Sequence, residues 1–231
     1  MMYKTSSLAD FMYNSKNALV NARNEQKIYP LLAGYNMTTE KIDKGLSMLD
    51  ALMTADRKKT ELHGLQLMAR AEFKRVFLEV NREYLEHVNF TKLQCRKDPV
   101  KLEKLLLLEP RTRVINGWLR QADTFYSNLL DDPELIGRLA DTAITVERLR
   151  EGYANVQRVL QARSKYTEII GMAQDATEKR NILLEEFNFW MKEFIYICKV
   201  ALKDHPQLLE SLGIQVLSAG YTRQKAYFKS S

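Results

Sequence analysis

Sliding the chain against itself by 107 positions aligns residues 38–105 with 145–212 without a gap, and 17 of the 68 pairs are identical. Composition alone would match roughly one pair in sixteen, so the sequence reads as one phrase written twice. Matched pairs include Gly45/Gly152, Ala55/Ala162, Lys58/Lys165, Thr60/Thr167, Glu61/Glu168, Gly64/Gly171, Ala69/Ala176 and Pro99/Pro206. Upstream the match is weaker, with Phe11 opposite Trp118 and Asn21 opposite Asn128. The expected organisation is a single helical domain, residues 1–231, built by tandem duplication. Its two repeats cover about 5–107 and 112–214, and a basic aromatic tail follows at 215–231.

Each repeat reads as helix. Five prolines and nine glycines in 231 residues are too few for an all-β chain, which needs a turn signal every 8–12 residues or so. Within a repeat, a first helix is expected from about Leu8 to Ile28, or from about Val114 to Leu130. A short connector holding Pro30 or Pro133 follows. Then "TTEKI" or "TVERL" sets a threonine before acidic residues, a helix N-terminal signal, and no proline intervenes until Pro99 or Pro206. Apolar positions recur at three- and four-residue steps along both spans: Ile42, Leu46, Leu49, Val76, Val80 and Tyr84, then Leu149, Val156, Ile169, Leu183, Phe187 and Phe194.

The polar stretches "TADRKKTE" and "QARSKYTE" leave a hairpin as the alternative, since bundles join helices with about 2–8 residues. Neither stretch contains Gly or Pro, which favours one continuous helix per repeat. The expectation is an all-α, elongated helical bundle with two long helices of about 60 residues, paired antiparallel, plus shorter helices. In an antiparallel pair the midpoints of the spans meet. Gly64 and Gly171, with Ala69 and Ala176 nearby, are then expected at a helix crossing where small residues let the backbones approach.

The residues offer little chemistry. A di-iron bundle needs two Glu-x-x-His motifs, but His87 follows Glu83 by four and Glu86 by one, and its repeat position holds Phe194. His63 and His205 have no such neighbours, so the histidines are expected at the surface or half-buried. Three histidines and two cysteines, Cys95 and Cys198, form no triad-like grouping, and neither G-x-G-x-x-G nor G-x-x-x-x-G-K-[ST] occurs. No enzyme activity, metal or cofactor is expected. Paired glutamates such as Glu79/Glu186 and Glu86/Glu193 read as flanks of an apolar seam.

No apolar leader opens the chain and no span is apolar enough to cross a membrane, so a cytoplasmic protein with unpaired thiols is expected. In the aromatic run "FNFWMKEFIY", helical spacing assigns Phe187, Trp190 and Phe194 to the core and leaves Phe189 and Tyr196 for an interface. The tail adds Tyr221, Arg223, Lys225, Tyr227, Phe228 and Lys229, a mixture suited to a partner surface or to anionic lipid.

The phrases "MTTEKIDKGLSMLDAL" and "ITVERLREGYANVQRV", with "DATEKRNILLEEFNFWMKEFIYICKVAL", resemble a family of uncharacterised bacterial all-helical proteins with a doubled T-x-E-x-[IL]-x-x-G unit. The second repeat fits, with Ala176-Thr177 and Trp190 to Phe194; the first departs, with Ala69-Arg70 and Glu83 to His87. The resemblance implies the fold and no activity. The functional expectation is a non-enzymatic structural or scaffolding protein that self-associates, filaments included. The alternatives are a membrane-surface helical protein and, more weakly, a ligand- or metal-binding bundle. With a net charge of only +6, nucleic acid is not an expected partner.

Overall fold

The computed structural model describes residues 7–112 and 114–214; the tail residues Tyr221, Arg223, Lys225, Tyr227, Phe228 and Lys229 lie outside them. Eight helices follow in order among the described residues: α1 (Leu8–Asn24), α2 (Tyr29–Ala33), α3 (Thr39–Gln94), α4 (Pro99–Lys104), α5 (Ile115–Leu130), α6 (Pro133–Ala140), α7 (Val146–Ala201) and α8 (Pro206–Ser211). The two long helices are unbroken, 56 residues each, or about 84 Å at 1.5 Å per residue. The hairpin alternative is thereby excluded. The connectors expected around Pro30 and Pro133 are themselves short helices, because proline sits within their first two positions, where its missing N–H costs nothing.

Local chemistry sets the ends. The hydroxyls of Thr38 and Thr145 accept from the backbone N–H groups of Lys41 and Arg148 at 3.4 Å. Asp98 and Asp132 cap α4 and α6 at 3.0 Å. Four short elements stop alike: Asn36, Leu106, Ala143 and Gly213 turn to positive φ, and the next N–H bonds back to the fifth residue before it. This is a Schellman ending. Each is sealed by a buried apolar residue: Met37, Leu107, Ile144 or Ile214.

The chain divides into two compact units, Met1–Glu61 with Gln174–Ser231, and Leu62–Ala173. In the first, Ala18, Leu19 and Ala22 of α1 pack with Ile42, Leu49 and Leu52 of α3, Phe187, Met191, Phe194 and Cys198 of α7, and Leu209 of α8. Phe11 meets Phe187 edge-on, centroids 5.7 Å apart, and Arg180 lies 3.8 Å from Asp56. In the second, Trp118, Ala122, Phe125, Tyr126 and Leu129 of α5 pack with Val76, Val80, Tyr84 and Val88 of α3, Leu135 and Leu139 of α6, and Leu149, Val156 and Val159 of α7. There the long helices meet at Phe73–Tyr166, Glu83–Asn155 and Glu86–Arg148.

The matched glycines part company. A Cβ placed on Gly64 or Gly171 would find no neighbour within 4 Å, so no close contact requires glycine at either. The tight pair is Gly45 and Gly152. A Cβ on Gly45 would overlap the Trp190 ring, and one on Gly152 would come within 2.6 Å of the Tyr126 hydroxyl. Close approach is present, but it is ring against backbone rather than backbone against backbone.

Candidate interaction surface

A helix buries one stripe and presents the rest to water. On the C-terminal part of α7 the buried stripe is Phe187, Met191, Phe194 and Cys198. At 100° per residue, positions nine apart face opposite ways. Ile182 therefore lies opposite Met191, and Phe189 opposite Cys198. Ile182, Phe189 and Tyr196 recur every seven residues and form one outward ridge, exposed by 51%, 74% and 70%. It runs about 21 Å. Of the residues left for an interface by spacing, Phe189 and Tyr196 are thus both on the surface; Ile182 was missed, because a lone isoleucine in a helical pattern reads as core.

The ridge is not demanded by the fold. The positions 107 residues earlier are Arg75, Arg82 and Asn89, which stand exposed at the same places along α3. A polar side chain serves there, whereas the second repeat spends two aromatics and an isoleucine. Between Ile182 and Tyr196 the charged neighbours are Glu185, Glu186, Lys192 and Glu193, all exposed.

A hollow lies in each unit where no third helix covers the long pair. Residues 63–75 of α3 and 160–172 of α7 contain no buried side chain. Between them Leu65, Met68, Ala69, Ala71, Ala162 and Ile169 line a groove of about 600 Å³ rimmed by Glu72, Arg75 and Lys165. Leu65 is 41% and Met68 70% exposed. In the other unit Ala51, Ala55, Ala176 and Leu183 line a groove of the same volume, rimmed by Asp50, Lys58 and Lys179. Ala69 and Ala176, expected at a helix crossing, line these two hollows.

Titratable groups are mostly on the surface, with one exception. His87 is fully buried, contrary to the expectation of exposed or half-buried histidines. It occupies the place that Phe194 takes in the second repeat. Its Nδ1 is 2.9 Å from the Tyr126 hydroxyl, and its Nε2 has no hydrogen-bond partner. Burial, and then the Arg148 guanidinium, hold its pKa below the ordinary histidine value. Burial likewise raises the Tyr126 phenol. The Cys95 thiol is raised too, and that of Cys198 is pushed up to about 12, so both are poor nucleophiles at neutral pH. Among the described residues no cluster of three or more His, Cys, Asp or Glu is placed to hold a metal ion, and no helix is long and apolar enough to cross a membrane.

Compared with protein-family models, curated proteins and solved structures, the chain matches none.

Proposed function

We propose that the chain is a non-enzymatic structural protein of the cytoplasm that works by self-association, using the Ile182–Phe189–Tyr196 ridge. The observation that carries this reading is the ridge itself: large apolar side chains, 51–74% exposed, at positions where the first repeat has arginine and asparagine. Surface of that kind marks a site of association. Glutamates 185, 186 and 193 beside it disfavour an anionic bilayer as the partner.

The architecture behind it is an internal duplication with the long helices antiparallel. Their limits are 107 residues apart at both ends, as are those of α4 and α8. Positive φ falls at Asn36 and Ala143, and at Leu106 and Gly213, again 107 apart. Asn21 donates to the Ser211 carbonyl and Asn128 to that of Lys104, the same bond with the repeats exchanged. Along α3 the contacts 73, 83 and 86 fall opposite 166, 155 and 148, a descending order that supports the antiparallel arrangement.

Light scattering on size-exclusion fractions tests the function. The wild-type mass should exceed that of a single chain and rise with concentration. The Phe189→Ser, Tyr196→Ser double variant should run as a monomer with an unchanged melting temperature. A monomeric wild type at high concentration rules the proposal out.

A further inference from the structure

The ridge needs a counterpart. We infer that it docks, in a second copy of the chain, into the groove between α3 and α7 lined by Leu65, Met68, Ala69, Ala162 and Ile169. This rests on the self-association proposed above and names its other half.

Area argues first for an extended apolar partner surface. Buried aromatic side chains contribute about 150–250 Å² each, so the three ridge residues supply roughly half of the ~800 Å² per partner found in stable interfaces. The rest must come from flanking surface on a long element, as when one helix lies along the seam of two others. The groove has that form. Its walls are two helices with no buried side chain over 13 residues each. Alanines 69, 71 and 162 form part of its lining, and small residues allow a helix to approach closely.

Chemistry separates this groove from its counterpart. The hollow at Ala51, Ala55 and Ala176 has matching alanines but only Leu183 as a large apolar lining residue. The chosen groove adds Leu65, Met68 and Ile169, and Met68 leaves 70% of its surface in water. A flexible thioether adapts to an aromatic ring and makes favourable sulfur–ring contacts. Charge agrees. On the groove rim Glu72 is held by Arg75 at 2.8 Å, which leaves the Lys165 ammonium to face a ridge interleaved with Glu185, Glu186 and Glu193. The contact joins unlike surfaces, so each copy gives a ridge and receives one.

Cysteine cross-linking in mixtures tests the pairing. Cys95 and Cys198 are fully buried, so introduced exposed thiols react against little background. Phe189→Cys protein is mixed with Ala71→Cys protein and oxidised, with Ala51→Cys as the comparison groove; all three positions are exposed. A Phe189–Ala71 disulfide between chains, dominant over Phe189–Ala51 and over Phe189–Phe189, is the expected result. Dominance of the Ala51 product places the ridge in the other hollow, and dominance of the Phe189 homodimer makes the contact ridge-on-ridge; either overturns the inference and leaves self-association standing. A wild type that stays monomeric in light scattering removes both readings together. Independently, Met68→Glu should weaken self-association roughly 10- to 100-fold, the loss of one buried apolar contact, and no change in dissociation constant overturns the inference.

Discussion

Gly64 and Gly45 are both glycines inside one long helix, each repeated 107 residues on, and they predict opposite responses to alanine. Glycine costs roughly 0.5–1 kcal/mol against alanine in a helix interior. Nothing stands within 4 Å of a Cβ on Gly64 or Gly171, so Gly64→Ala and Gly171→Ala should each stabilise by about that amount. At Gly45 the new methyl would strike Trp190, and at Gly152 the Tyr126 hydroxyl. Overpacking of this kind costs about 1–3 kcal/mol. Urea melts of the four single variants check the contrast, and equal shifts at Gly45 and Gly64 would contradict it. The sequence identified all four positions but not their roles, because repetition reports that a residue is kept and not which neighbour approaches it.

At the scale of elements, helix ends were the legible part. Proline within the first two positions of α2, α4, α6 and α8 and threonine before α3 and α7 are local signals, readable without tertiary contacts. The Schellman stops were not, since three of the four positive-φ residues are Asn36, Leu106 and Ala143 rather than glycine. Tertiary packing of the following apolar residue holds the backbone there. Asp132 joins the two kinds of information. It caps α6 through the Leu135 N–H at 3.0 Å and also accepts from the Lys101 ammonium of α4 at 3.1 Å. Losing a cap costs about 1 kcal/mol, and a pair this exposed adds little. Asp132→Asn keeps the cap and should cost only a few tenths of a kcal/mol, while Asp132→Ala should cost about 1 kcal/mol. Thermal denaturation of the two variants distinguishes a capping role from an ionic one.

Over the whole molecule, the 107-residue period makes the two cores comparable position by position, and the comparison isolates one unlike residue. Phe194 in one core and His87 in the other are both fully buried. The groups facing His87 are the Tyr126 hydroxyl from α5, Arg148 from α7, and Glu86 beside it on α3. Burial is the main cause of its lowered pKa, Arg148 adds to it, and Glu86 opposes. The folded state therefore takes up a proton less readily than the unfolded chain, whose histidine titrates near 6.5. Stability from this group is fully present above that value and is lost as pH falls through it, by at most about 1.4 kcal/mol per pH unit, until the folded pKa is reached. The unit Leu62–Ala173 should then loosen in mild acid before the unit built around Phe194. Hydrogen exchange at pH 7 and pH 5.5 should show the amides of Val80, Tyr84 and Leu129 losing protection, while those of Leu19, Leu49 and Phe194 hold theirs. His87→Phe places the second repeat's residue in the first. That variant gives up the Tyr126 hydrogen bond, so its stability at pH 7 is a poor guide. Its slope with pH is the discriminating quantity: the acid-dependent difference between the two sets of amides should vanish in His87→Phe. If it persists, the acid response belongs to the surface carboxylates and His87 is only a space-filling residue.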